Sequence, residues 1–152
     1  MSNLHKSSAH VQMQAEEVLF HKVEDLLNVK LDKNKKIFMA DNAFTYIQPD
    51  FYSEQDCIIG EIFAHIGKPK KAQDNKIAND ILKMLLLEKK KGKQYHKIIV
   101  VCDEEEQKKL QGLSVLAESI RQFDIEIVYI ELDENMRNQI LEAQELQRMT
   151  NV

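Results

Sequence analysis

The run Ile98-Ile99-Val100-Val101-Cys102 decides the fold class of this chain. It is continuously apolar and mostly β-branched, which is typical of a central strand that is covered on both faces. Residues 70–91 before it have apolar side chains at helical spacing and end at Gly92, and residues 104–122 after it are amphipathic. Because strands joined through helices run parallel by right-handed crossovers, the run predicts parallel pairing in its sheet.

The remaining elements extend this pattern toward both ends. The predicted order is helix, three strands, helix, strand, helix, strand and helix, at residues 8–27, 37–40, 44–48, 57–66, 70–91, 98–102, 104–122, 125–132 and 133–149. The three early strands are joined by tight turns and therefore predict an antiparallel meander. We expect an α/β fold with a mixed sheet, helical crossovers and helices on both faces.

The length of 152 residues predicts a single domain over residues 1–152, with residues 1–8 disordered. The longest apolar run has five residues, so we expect no membrane span. The N-terminus has no apolar export segment, and Cys57 and Cys102 lie in or beside apolar runs, as buried thiols do in a reducing compartment. These features predict a cytoplasmic protein.

The net charge of −4 is unevenly distributed along the chain. Residues 67–97 contain ten basic and three acidic side chains, whereas residues 98–152 contain five basic and twelve acidic ones. The basic segment suits a polyanion such as nucleic acid, or it is simply a solvated helix end. The opposed charges of the two segments also suit a homodimer.

Two acidic side chains stand at positions where strands seldom have them. Asp50 ends the second predicted strand and Glu61 interrupts the apolar third. If Tyr52 pairs with Cys57, Asp50 faces Ile59 and becomes a diagonal neighbour of Glu61, with Cα atoms roughly 7–8 Å apart. Carboxylates at that separation can share a divalent cation; alternatively, both acids lie at exposed strand ends and keep the sheet soluble.

A hard cation such as Mg²⁺ (or Mn²⁺) suits the pair, because it takes one or two carboxylates and keeps waters for a phosphate substrate. The backbone carbonyl of Ile62 is the candidate third ligand. The following helix has a polar stripe at spacings of three and four residues: Gln73, Lys76, Asp80 and Lys83. Lys76 or Lys83 is placed to reach a phosphate beside the cation.

The segments Gln48-Pro49-Asp50, Gly60-Glu61-Ile62-Phe63 and Ala72-Gln73 together resemble the core of the PD-(D/E)XK nuclease superfamily. The resemblance covers about residues 11–102 and implies a restriction-endonuclease-like fold, an αβββαβ core with a C-terminal α-β-α addition. Within the superfamily, the chain most resembles small bacterial restriction-endonuclease-like proteins. It implies that Asp50 and Glu61 bind the metal.

Further site residues follow from the same resemblance. The superfamily has a lysine two residues after the second acid, where this chain has Phe63, so a lysine of the next helix, Lys76 or Lys83, is implied as its replacement. A supporting glutamine corresponds to Gln73. A glutamate of the first helix near the metal corresponds to Glu16 or Glu17, and Glu16 fits the helix face better.

The resemblance implies metal-dependent hydrolysis of phosphodiester bonds in DNA, of restriction or repair type, with the basic segment following the DNA backbone. The alternative is a catalytically inactive member of the fold that binds DNA or a protein, which Phe63 favours. A third reading is a small self-associating interaction protein. His65 reads more simply as an ordinary strand-end histidine, and the four scattered glycines form no nucleotide-binding loop.

Overall fold

The computed structural model describes residues 2–67 and 71–150. Within these ranges the chain forms five helices and seven strands. In chain order they are α1 (Ser2–Leu27), β1 (Asp32–Lys33), β2 (Ile37–Phe38), β3 (Tyr46–Ile47), β4 (Phe51–Ser53), β5 (Ile58–Phe63), α2 (Lys71–Lys91), β6 (His96–Val101), α3 (Glu104–Leu110), α4 (Val115–Gln122), β7 (Ile125–Tyr129) and α5 (Glu134–Thr150). The disorder expected at residues 1–8 stays a prediction.

Five strands form one mixed sheet in the order β1-β4-β5-β6-β7. The pairs β1–β4 and β4–β5 are antiparallel, whereas β5–β6 and β6–β7 are parallel. The predicted α/β class with a mixed sheet is therefore confirmed. The apolar run that predicted a central strand lies in β6, whose residues 97–101 are buried.

Helices cover both faces of the sheet. On one face, α1 and α5 pack through Leu19 and Ile140 onto Ile58, Ile62 and their neighbours. On the other, α2, α3 and α4 form a second apolar cluster with Ile59 and the remaining strand residues of that face. Because successive strand residues alternate between faces, Glu61 shares the α2 face with Ile59 and Phe63. A charged residue type is thus placed inside a core layer.

The antiparallel meander was predicted with the wrong strands. The segments expected as its first two strands form a separate two-stranded sheet, β2 with β3, in which Ile37 pairs with Ile47. The Asn42 side chain closes this hairpin by accepting hydrogen bonds from the backbone of Phe44 and Thr45. The antiparallel part of the main sheet instead uses β1 and the short β4, which begins after Pro49. Proline separates the two sheets because it donates no backbone hydrogen bond.

The helix predicted over residues 104–122 is two helices. α3 ends near Gln111, and α4 begins after Ser114, whose hydroxyl accepts a hydrogen bond from the Ala117 backbone at 3.0 Å. A serine N-cap stabilises a new helix start, which explains the break. The predicted cap of the last helix is confirmed: Asp133 accepts from the Met136 backbone at 2.7 Å. In the described ranges, every helix is too short or too polar to cross a bilayer.

Candidate active site

The hairpin β4–β5 sets the position of the two acids, and its predicted register was wrong. Tyr52 pairs with Ile59, not with Cys57. Cys57 has a positive φ of 53° and belongs to the turn, because left-handed backbone cannot continue a strand. The pairing of Phe51 with Gly60, continued by one residue, sets Asp50 opposite Glu61. The displacement is an even number of residues, so the two acids stay on one face and come closer than predicted.

The two carboxyl groups are in direct contact. The protonated Glu61 carboxyl donates a hydrogen bond to the Asp50 carboxylate. Asp50 Oδ2 also accepts from the Ile62 backbone N–H at 2.7 Å, which holds this side chain across the end of β4. Glu61 is 7% exposed and Asp50 is half-buried, so the pair is open to solvent from the Asp50 side.

Burial is the main cause of a strong rise in the pKa of Glu61, and the negative charges of Asp50 and Asp80 raise it further. Lys83 partly opposes these effects. Without a cation, Glu61 is therefore protonated and neutral at pH 7. A divalent cation would replace that proton, because it stabilises both carboxylates in their charged form.

The sequence did not single out Asp80 as a site residue, although it lies in the predicted polar stripe. It is 4% exposed, on the buried side of α2, and its charge acts on Glu61. Its Oδ1 accepts a hydrogen bond from Lys83 at 3.5 Å, while its Oδ2 is buried without a hydrogen-bond partner. Burial raises the pKa of Asp80. The available signal was its spacing, because Asp80 lies three residues after Ile77 and four before Met84, two apolar residues of the buried face.

The stripe on α2 brings its predicted lysines to different sides of the pair. Lys83 contacts Asp80 and acts electrostatically on Glu61. The Lys76 ammonium lies 5.2 Å from the centre of the Phe63 ring. A lysine of α2 thus lies over the face of Phe63, two residues after Glu61. Cation–π attraction favours this placement.

The two glutamates of α1 have separate environments. Glu16 is close enough to Asp50 and Lys76 for their charges to affect its pKa, which burial raises. Glu17 instead forms ion pairs with Lys33 and His21. Of the two, Glu16 is the one near the carboxylate pair.

A cleft of about 400 Å³ opens beside the pair, between α1, α5 and α2 at the end of β5. Four of the predicted site residues line it: Glu16, Ile62, Gln73 and Lys76. His65, for which the sequence favoured a plain structural role, also lies in its wall. Asp50 and Glu61 themselves do not line the cleft, which adjoins the pair through Ile62.

The chemistry of these donors fits a divalent cation held by few protein ligands. In the described ranges, no three Asp, Glu, His or Cys side chains are grouped to hold a metal. The protein ligands would be Asp50, Glu61 and the carbonyl of Ile62. That carbonyl points to the same side as the Ile62 N–H, and hence toward Asp50, because both groups of a strand residue face one neighbour. Mg²⁺ binds in this way, with water completing its shell.

The basic segment is not one continuous surface. Lys97 is buried and forms an ion pair with Glu88 at 2.7 Å, so it is unavailable to DNA. Lys91 and Lys93 contact Glu54. Residues 68–70, which include two of the lysines, lie outside the described residues. Lys76 is exposed and lines the cleft.

Comparison of the chain with protein-family models, with curated proteins and with solved structures found no match. The case for a function therefore depends on the geometry alone.

Proposed function

We propose that this protein is a metal-dependent nuclease that hydrolyses phosphodiester bonds in DNA. The observation that carries the proposal is the contact between the Asp50 and Glu61 carboxyls inside a core layer. A buried acid that lies beside a second carboxyl and has a strongly raised pKa is typical of functional sites such as metal sites. The order α1, β4, β5, α2, β6 around this pair also supports a restriction-endonuclease-like core.

The residues of the chain have distinct roles in this proposal. Asp50, Glu61 and the Ile62 carbonyl would bind Mg²⁺ or Mn²⁺. The bound cation would supply Lewis-acid stabilisation of the charge that develops on the phosphate. Lys76, at the cleft, would hold the scissile phosphate by a point charge. Lys83 is positioned to neutralise Asp80 and so to support Glu61.

Two further residues would orient the reaction. Gln73 lines the cleft one turn before Lys76 and is suited to position the attacking water by its amide. Glu16 would add a carboxylate near the cation, because it lies close enough to Asp50 for the charge of Asp50 to affect its pKa. Such an enzyme would act in the cytoplasm. The homodimer stays a prediction, and analytical ultracentrifugation of the full chain would test it by measuring the molecular mass in solution.

The test is cleavage of supercoiled plasmid DNA in Mg²⁺ or Mn²⁺ by the full chain and matched variants. Asp50→Asn and Glu61→Gln should each lower the rate by at least about 100-fold, the usual effect of losing an electrostatic stabiliser of the transition state. Asp25→Asn, an exposed acid further along α1, should cleave like wild type. Calorimetric titration with Mn²⁺ should show binding to wild type and loss of binding in Asp50→Asn.

Phe63 favours the second candidate function, an inactive member of the fold that binds DNA or a protein. That candidate predicts DNA binding without cleavage and no dependence of binding on Asp50. Cleavage that survives Glu61→Gln would refute the assigned site even if the protein is a nuclease. Mn²⁺ binding that is lost with Asp50 would refute the inactive alternative.

A further inference from the structure

The cleft beside the carboxylate pair has a lining unlike that of a groove for duplex DNA. Four glutamines line it, and we call it the amide cleft: Gln12 from α1, Gln73 from α2, and Gln144 and Gln147 from α5. Among the lining residues that the structure describes, Lys76 is the one lysine or arginine. A surface that follows a duplex backbone needs several cations, because phosphate contacts dominate duplex affinity.

One wall of the amide cleft is rigidly attached. The Gln144 side chain donates to the Ile66 carbonyl at 2.8 Å and accepts from the Ile66 N–H at 3.0 Å. These two bonds fasten α5 to the chain beyond β5, and α5 packs along α1 in the same core cluster. Widening the cleft on the α5 side would therefore require breaking this attachment.

The size and chemistry of the cleft suit one unpaired nucleotide. Its volume of about 400 Å³ is that of a small-ligand site. Amide side chains both donate and accept hydrogen bonds, which suits the exposed edge of an unpaired base. Lys76, Glu16 and Ile62 also line the cleft, so a phosphate there would have a cation available near the residue that follows Glu61.

We infer that the amide cleft binds a nucleotide of a single strand, so that the substrate is single-stranded DNA or an unpaired end and not an intact duplex. This inference rests on the proposed function and narrows its substrate class.

The test is binding of a fluorescent DNA oligonucleotide, measured by anisotropy in EDTA, as a single strand and annealed to its complement. The cleft consists of the chain's own residues, so binding is expected without metal. Wild type should bind the single strand at least about tenfold more tightly than the duplex. Ala9→Trp, which fills the mouth of the cleft from an exposed position, and Gln147→Ala should each weaken single-strand binding to a similar degree. Gln14→Trp, on α1 but outside the cleft lining, is the matched control and should bind like wild type.

Equal affinity for the two forms, absence of binding to both, or a cleft variant that binds like wild type would overturn the inference. The experiments distinguish failure of this inference from failure of the proposed nuclease function. Strand-selective binding with no cleavage in Mg²⁺ would refute the nuclease and leave the cleft assignment standing. Cleavage of both forms at equal rates would refute the cleft assignment alone.

Discussion

Protonation of Glu61 should make the stability of the folded protein depend on pH. The folded-state pKa of this carboxyl is raised above its ordinary value of 4.5, so the native protein holds a proton that the unfolded chain releases. Stability from this group is complete below pH 4.5 and is lost as the pH rises toward the folded-state pKa. One retained proton changes the free energy of unfolding by about 1.4 kcal/mol per pH unit, so about 4 kcal/mol is lost between about pH 5 and pH 8.

The Glu61→Gln variant isolates this effect, because it has no proton to lose while other groups titrate in both proteins. Urea unfolding followed by circular dichroism in EDTA should show wild type losing up to about 4 kcal/mol relative to the variant over that pH range. Glu126→Gln, an exposed acid on β7, should follow wild type. Mg²⁺ at pH 8 should raise the stability of wild type and not of Glu61→Gln. If the free energy of unfolding of wild type and of Glu61→Gln changed in parallel with pH, Glu61 would already be ionised in the folded protein. That result would refute its raised pKa.

Three further substitutions test the packing around the site, each by urea unfolding. Gly60→Ala should destabilise by about 1–3 kcal/mol, because its Cβ would lie 1.9 Å from Cζ of the Phe51 ring; stability equal to wild type would contradict the packing of β4 on β5. Lys97→Ala should cost about 3–5 kcal/mol, since it leaves the Glu88 carboxylate without its buried partner, whereas the exposed Lys89→Ala should change little. Gln144→Ala should lower the free energy of unfolding by about 1–3 kcal/mol, because it removes both hydrogen bonds that fasten α5. Slower amide exchange at that junction in the variant would contradict the attachment.

The sequence alone was sufficient for features that depend on neighbours in the chain. Continuous apolar character predicted β6 as a central strand, helical spacing predicted α2 with nearly its observed bounds, and Asp133 was recognised as a cap. Each of these depends on periodicity or on hydrogen bonds within a few residues, which the order of residue types records directly. The mixed α/β class followed from the order of such elements.

Only the tertiary structure decided what converges on the site. The left-handed backbone at Cys57 moved the hairpin register and set Asp50 directly opposite Glu61. Packing of α2 onto the sheet brought Asp80 close to the same pair of acids. It also buried Lys97 in an ion pair with Glu88. The physical reason is that strand register and helix docking are set by the sum of many side-chain contacts between distant segments. Residue types at single positions name the candidate acids, but the distance between them belongs to the packed sheet.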